Sequence, residues 1–112
     1  MEEIKVNNRI WIEKEGKPFL GNGRIALLES IGQQGSINKA AKSLGMSYKR
    51  AWQLINAINS LSDEPIVIRT TGGFGGGGTK LTEKGKKVVV EFRRMDKMCR
   101  NLLSREMKTD CF

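Results

Sequence analysis

Hydrophobic and polar residues alternate at the start of the chain. Over residues 4–12 the apolar side chains occupy every second position, with one interruption, and a period of two is typical of a β-strand. The apolar residues that share this parity are Ile4, Val6, Ile10 and Ile12. Glu15-Gly16-Lys17 then predicts a turn, and Phe19-Leu20 a short return strand. Residues 1–20 are therefore expected to form a β-hairpin.

Three segments with apolar residues three or four positions apart follow, which is the spacing of one helix face. They predict helices over residues 24–34, 36–45 and 47–61. The apolar positions are Ile25, Leu28 and Ile31, then Ile37, Ala40, Ala41 and Leu44, then Ala51, Leu54, Ile55 and Ile58. The residues expected to cap these helices at their N-termini are Asn22, Ser36 and Ser47.

The second and third predicted helices form a helix-turn-helix pattern. Gly45 lies in the turn between them, where glycine can adopt a positive φ, and the small side chain of Ala41 lets the two helices approach closely. The outer face of the third helix is polar and basic, with Lys49, Arg50, Gln53 and Asn56. A plain pair of antiparallel helices is the alternative interpretation of the same spacing.

A glycine-rich hairpin is expected after this unit, over residues 66–81. Pro65 marks a break, Ile66-Val67-Ile68 is typical of a strand, and Thr79-Lys80-Leu81 can return as a second strand. The connecting stretch includes six glycines in residues 72–78. A helix-turn-helix followed by such a hairpin predicts an α+β winged helix-turn-helix fold, in a single domain over residues 1–112.

A long C-terminal helix is predicted over residues 82–107, with Thr82 as its cap. Its apolar residues are spaced by 4, 3, 4 and 3 positions, which gives a narrow seam of about two heptads. They are Val88, Phe92, Met95, Cys99 and Leu102. This seam is interpreted as a mixture of packing within the chain and a dimer interface, because a small chain gains from burying it against a second copy.

The net charge of +8 is unevenly distributed along the 112 residues. Residues 1–35 contain five basic and five acidic residues, residues 36–81 contain six and two, and residues 82–112 contain nine and five. The helix-turn-helix and the glycine-rich hairpin therefore carry +4 with little opposing acid. Such a basic segment favours a polyanionic partner, first of all nucleic acid.

Several kinds of site are disfavoured by the composition. The chain has no histidine and only two cysteines, Cys99 and Cys111, so neither a metal site nor a cofactor is expected, and the chain is not expected to be an enzyme. Gly73-Phe74-Gly75-Gly76-Gly77-Gly78 formally fits a dinucleotide-binding pattern, but the βαβ context is missing. The order of Gly78-Thr79-Lys80 is inverted relative to a phosphate-binding P-loop.

The location expected from the sequence is a reducing cytoplasm, with no membrane association. The acidic start, Met1-Glu2-Glu3, predicts no signal peptide, and the longest apolar run, Val88-Val89-Val90, is far too short to cross a bilayer. Cysteines without a pairing pattern fit the same compartment.

The middle of the chain resembles the DNA-binding domain of molybdate-responsive regulators of the ModE type. The resemblance covers about residues 20–95 and is carried mainly by the runs GMSYKRAW and TGGFGGGGTKLT, at residues 45–52 and 71–82. More distantly, the layout is similar to the winged helix of LysR-type regulators. The resemblance implies a bacterial-type, dimeric transcription factor that inserts its third helix into the major groove of DNA.

Two features depart from the ModE-type pattern. Regulators of this type carry a C-terminal molybdate-binding region, and no recognisable molybdate-binding domain is expected in these 112 residues. They also usually have a lysine in the wing where this chain has Phe74, which removes one expected phosphate contact and leaves the role of Phe74 open between a groove wall and a partner subunit.

Nine residues are candidate DNA contacts. Lys49, Arg50 and Gln53 are candidates for reading base edges, because the N-terminal part of a recognition helix reaches the floor of the groove. The candidates for phosphate contacts are Ser36, Ser47, Tyr48, Arg69, Thr71 and Lys80. Trp52 is interpreted as a packing residue.

The sequence favours sequence-specific binding of double-stranded DNA by a homodimeric transcription regulator. A winged helix that binds protein or RNA, without sequence-specific readout of DNA, is the alternative. A small nucleotide-binding enzyme based on the glycine-rich loop is a third and much weaker interpretation.

Overall fold

Four α-helices and two short β-hairpins make up the part of the chain that the structure describes. It is a computed structural model, and it describes residues 3–70 and 78–112. The elements are β1 (Ile12–Lys14), β2 (Lys17–Leu20), α1 (Asn22–Gln34), α2 (Ile37–Ser43), α3 (Tyr48–Leu61), β3 (Val67–Thr70), β4 (Gly78–Leu81) and α4 (Glu83–Glu106), followed by a short 3-10 helix (Thr109–Cys111). The predicted α+β class, with an N-terminal hairpin and a second hairpin after the third helix, is confirmed.

The N-terminal hairpin is shorter than the alternating pattern predicts. β1 and β2 pair antiparallel around a turn at Glu15 and Gly16, both with positive φ, but residues 3–11 are not strand. β2 ends at Leu20, directly before α1, so the earlier alternating residues have no strand to pair with. Part of this segment lies instead beside α4, where Asn8 donates a hydrogen bond to Asp96 (3.1 Å).

Serine and threonine side chains begin three of the four helices, as predicted. Ser36 Oγ accepts the Lys39 N–H, Ser47 Oγ accepts the Arg50 N–H, and Thr82 Oγ1 accepts the Gly85 N–H, at 3.0–3.2 Å. The expectation for Asn22 is wrong: Gly21 is the N-cap of α1, and Asn22 is the first helical residue. Gly21 is extended, and its carbonyl already accepts the Ile25 N–H, so the helix starts two residues earlier than the predicted residue 24.

A tight turn joins α2 to α3. Gly45 has a φ of 69°, a conformation that costs glycine little, and the Met46 N–H returns to the Ala41 carbonyl (3.0 Å). Ala41 and Ala51 are almost completely buried. Their small side chains allow the close crossing of the two helices that the sequence predicts.

One hydrophobic core lies where α1, α2 and α3 meet the two hairpins and the first half of α4. Its largest fully buried side chains are Phe92, Ile25, Leu27, Leu28, Ile31, Ile55, Ile58 and Ile66. Phe92 is the contribution of α4 to this set. The core therefore holds α3 by one face and leaves its opposite face in solvent.

The second hairpin is attached to the helices at both of its strands. Asn59, in the last turn of α3, accepts the backbone N–H groups of Ile66 (2.8 Å) and Val67 (3.2 Å) and donates to the Val67 carbonyl (3.0 Å). On the other strand, the Thr79 N–H donates to the carbonyl of Gly35 at the end of α1 (3.0 Å). These bonds fix the hairpin beside α3.

An ion pair to α1 and a hydrogen bond to the N-terminal segment fix α4 against the rest of the chain. Arg93 donates two hydrogen bonds to Glu29 of α1 (2.6 and 3.0 Å), and this partner raises the pKa of the Arg93 guanidinium. Asp96, although 2% exposed, is bonded by both Asn8 and Arg100. Beyond residue 99 the helix is exposed on nearly all its faces.

Candidate nucleic-acid interface

The outward face of α3 carries a row of polar side chains in solvent. Lys49, Gln53 and Asn56 are all exposed and lie on the side opposite to the buried Ile55 and Ile58. Ser47 is occupied as the N-cap, where its hydroxyl satisfies one of the free N–H groups of the first turn. α3 thus presents amide and ammonium side chains to solvent, and these side chains take no part in the hydrophobic core.

A polar cleft of about 230 Å³ lies on one side of this row, and we call it the wing cleft. It is lined by Ser36, Ile37, Asn38, Tyr48, Trp52, Arg69, Gly78 and Thr79. The structure therefore brings together three of the predicted phosphate contacts, Ser36, Tyr48 and Arg69. The described lining includes no acidic side chain.

Trp52 contacts two of the other side chains that line the wing cleft and fixes their positions. The guanidinium carbon of Arg69 lies 4.4 Å from the centroid of the Trp52 ring, which is a cation–π contact. The Tyr48 ring meets the same indole edge to face, at 6.2 Å and 82°. Trp52 packs, as the sequence predicts, and in addition it holds the arginine of β3 beside the start of α3.

A larger cleft of about 470 Å³ lies on the other side of α3, and we call it the hairpin cleft. It is lined by Trp11, Pro18, Leu20, Gly21, Gly23, Arg24, Met46, Arg50 and Leu54. Arg50 was expected in the row that reads bases, but the structure places it in this lateral cleft beside Arg24. The sequence analysis missed Arg24 and Trp11, because neither lies in the helix-turn-helix segment.

Arg24 is held in place by the backbone of β2. Its Nη1 donates to the carbonyl oxygens of Pro18 (3.1 Å) and Phe19 (3.0 Å). Burial, and then the positive charge of Arg50, lower the pKa of the Arg24 guanidinium, which nevertheless stays charged at neutral pH.

The remaining predicted contacts are not gathered in either cleft. Lys80 is exposed on β4, where it pairs with Ile68 across the hairpin. Thr71 and Phe74, which were also singled out from the sequence, lie outside the described residues. Asn38, at the mouth of the wing cleft, was not anticipated.

The apolar seam of α4 divides into two parts. Phe92 is fully buried within one chain, and Val88 packs against the same core, so the expectation that Phe92 forms a dimer contact is wrong: its ring is already used by the monomer. Met95 and Cys99 are partly buried, and Leu102 is 47% exposed. Met98 and Leu103, outside the predicted seam, are also exposed.

Within residues 3–70 and 78–112, cysteine, aspartate and glutamate side chains form no group of three or more that could hold a metal ion. None of the described helices has a stretch long and apolar enough to span a membrane.

Comparison with known proteins agrees with this geometry. Residues 23–86 match the model of the bacterial regulatory helix-turn-helix proteins of the lysR family. The chain is 45% identical over 88 residues to the molybdenum transport protein ModE of Azotobacter vinelandii, covering 79% of this chain and 33% of that protein. It is 53% identical over 71 residues to the transcriptional regulator ModE of Yersinia pestis, covering 63% and 27%.

A third relative is named as a DNA-binding protein. The chain is 45% identical over 78 residues to the DNA-binding transcriptional dual regulator ModE of Escherichia coli K12, covering 70% of this chain and 30% of that protein. The chain thus spans about a third of the length of these curated relatives. The resemblance to ModE-type regulators is confirmed, and, with the family model matched over more than half of its length, the chain belongs to the lysR family of bacterial regulatory helix-turn-helix proteins.

Proposed function

We propose that this chain binds double-stranded DNA with sequence preference, as one half of a dimeric transcription regulator. The observation that carries the proposal is the exposed row of Lys49, Gln53 and Asn56 on α3, bordered by the acid-free wing cleft. A helix about 10–12 Å across fits the major groove, which is about 12 Å wide. The row would then face the base edges.

Each part of the surface has a distinct role in this proposal. Lys49 and Gln53 read bases, since lysine pairs with guanine and glutamine with adenine in the major groove. Arg69, held over Trp52, binds a backbone phosphate at the wing cleft together with Ser36 and Tyr48. Lys80 adds a weaker, exposed contact on β4, the second strand of the hairpin. The names of the relatives favour genes of molybdenum uptake as the regulated set.

The two copies are proposed to pair through the C-terminal half of α4. Met95, Cys99 and Leu102 follow one another at intervals of four and three residues, and Met98 lies on the adjacent position of the same face. This half of the helix projects from the core, with Met98, Leu102 and Leu103 exposed and Met95 and Cys99 partly buried. A two-fold axis through it would give each half of a palindromic operator one copy of α3.

The base-reading role is tested by competition between two duplexes. Fluorescence anisotropy compares the affinity for the chain's own upstream region with that for a scrambled duplex of equal length and composition. Wild type is expected to prefer the former, and Lys49→Ala and Gln53→Ala are each expected to reduce that preference about 5- to 150-fold, corresponding to about 1–3 kcal/mol per base contact.

Lys97→Ala is the matched control, because Lys97 is an exposed lysine on α4, away from α3. It is expected to keep the wild-type preference. Equal affinity of the wild type for both duplexes would contradict sequence readout, and tighter binding to single-stranded RNA than to duplex DNA would favour the alternative function.

A further inference from the structure

Two arginines share the hairpin cleft without an acidic partner. Arg24 comes from α1 and Arg50 from α3, and the described lining of the cleft otherwise consists of glycines and of apolar side chains from β2, α3 and the N-terminal segment. Trp11, 59% exposed, forms part of its rim. The cleft therefore combines two guanidinium groups with an apolar floor.

The two charges are arranged at a cost that a bound anion would offset. Burial and, after it, the positive charge of Arg50 lower the pKa of Arg24, and like charges in proximity repel. Nη1 of Arg24 is engaged with the backbone of β2, and its Nε and Nη2 make no hydrogen bond to the described part of the chain. Two such nitrogens of one guanidinium can donate parallel hydrogen bonds to two oxygens of a phosphate.

The angular position of Arg50 around α3 indicates which anion would bind in this cleft. Successive residues turn by about 100° around a helix, so Arg50 lies about 200° from Tyr48 and from Trp52, on the opposite side of α3. The wing cleft and the hairpin cleft therefore lie on the two sides of the row formed by Lys49, Gln53 and Asn56. A helix in the major groove has one sugar–phosphate backbone on each side.

We propose that Arg24 and Arg50 form a second phosphate-binding site, which takes the DNA backbone on the side of α3 away from the wing. This inference rests on the proposed DNA-binding function and deepens it. It makes the N-terminal hairpin and α1 part of the DNA-binding surface, with β2 fixing Arg24 and the exposed indole of Trp11 adjacent to the sugar–phosphate chain. It also changes the role of Arg50 from reading bases to holding the backbone.

The salt dependence of binding tests this site. Arg24→Gln and Arg50→Gln are each expected to weaken binding about 3- to 10-fold at 0.15 M salt, equally for the preferred and the scrambled duplex. Each should also make the slope of log K against log salt concentration shallower by about 1, because one phosphate contact is lost. Arg105→Gln, which removes an exposed arginine from the last turn of α4, is the matched control and should change neither quantity.

Arg24 also supports the hairpin, so its variant needs a check of folding. Circular dichroism and thermal unfolding compare Arg24→Gln with Arg24→Lys, which keeps the charge. Arg50→Gln removes an exposed side chain from the helix surface and decides the question alone if Arg24→Gln is unfolded. An unchanged salt slope for a folded Arg50→Gln would overturn the proposal, as would a loss of affinity confined to the preferred duplex.

The two tryptophans of the chain provide an independent readout, because they line opposite clefts. In Trp52→Phe, which keeps an aromatic ring beside Arg69, the tryptophan emission comes from Trp11 alone. Once anisotropy shows that this variant is saturated with duplex, the bound DNA should protect Trp11 from acrylamide quenching. Unchanged quenching at saturating DNA would count against the second site. If the wild type binds no duplex at all, the proposed function itself fails; normal wild-type binding with unaltered salt slopes for both arginine variants refutes only the second site.

Discussion

Gly85 shows how closely α4 packs against the second hairpin. It is buried in the first turn of the helix, and a Cβ added there would collide with the backbone carbonyl oxygen of Ile66 and crowd its side chain. That oxygen also accepts the Thr82 N–H, so it has little freedom to move. The glycine is needed for the close approach of helix and strand.

Gly85→Ala is therefore expected to lower the free energy of unfolding by about 1–3 kcal/mol, the usual cost of overpacking a fixed backbone. Urea denaturation followed by circular dichroism measures it. Gly23→Ala is the control: it also lies in the first turn of a helix, but an added Cβ has nothing within 4 Å, so stability should be unchanged or higher by up to about 1 kcal/mol. Equal effects of the two substitutions would contradict the steric argument.

Residues whose role depends on their immediate neighbours could be predicted from the sequence. The capping roles of Ser36, Ser47 and Thr82 follow from the residues next to them, and the structure has all three bonds. The roles of Arg24 and Asn59 depend on partners outside their own helices, and no spacing in the sequence indicates them. Arg50 was predicted to read base edges, and the structure places it in the hairpin cleft beside Arg24.

At the scale of elements, Asn59 joins α3 to the second hairpin, formed by β3 and β4. Its single amide group satisfies two backbone N–H groups and one carbonyl at the start of β3, where no strand partner or helix would otherwise do so. The spacing in the sequence predicts the helices and the hairpin one by one, but their attachment to each other rests on this side chain and on the bond from Thr79 to Gly35.

Asn59→Ala is expected to lower the free energy of unfolding by about 2 kcal/mol, because backbone groups are left without partners. Amide hydrogen exchange should locate the loss at Ile66 and Val67, with much less change in α1. The neighbouring variant Ser60→Ala removes only an exposed bond to the Ala57 carbonyl and should stay within about 0.5 kcal/mol of the wild type. Uniformly faster exchange throughout the core would show that Asn59 has no local coupling role.

The first predicted strand illustrates why elements are harder to predict than residues. The alternation over residues 4–12 is genuine, yet only Ile12 and the two residues after it pair with β2. A strand requires a partner of matching length, and that length is set by where α1 begins. The sequence shows the alternation, but it does not show that residues 4–11 lack a strand to pair with.

At the scale of the whole molecule, α4 extends well beyond the core. The described chain measures 59 × 33 × 22 Å, and a helix of 24 residues is about 36 Å long. Its first half is fixed by Phe92 and by the pair of Arg93 with Glu29. Its second half contacts mainly the N-terminal segment, and the seam predicted from the sequence is available to a partner only there.

Leu102→Lys is expected to convert the proposed dimer to a monomer, because it places a charge in the exposed part of the seam. Sedimentation velocity measures the mass, and the affinity for a palindromic duplex should fall in parallel. Val90→Lys is the control, since Val90 is an exposed apolar residue (68%) on a different face of the same helix. A dimer that survives Leu102→Lys but not Val90→Lys would place the interface elsewhere.

The attachment of β3 and β4 to the helices has a consequence for how the proposed dimer would be controlled. Asn59 at the start of β3 and the bond from Thr79 on β4 join α3, the end of α1 and these two strands into one unit, which we call the head. A signal has little room to alter affinity by rearranging the head internally. In the proposed dimer, control would instead act on the distance and angle between the two heads, as a rigid-body change transmitted along α4. The spacing of the operator half-sites, more than their sequence, would then distinguish the active from the inactive state.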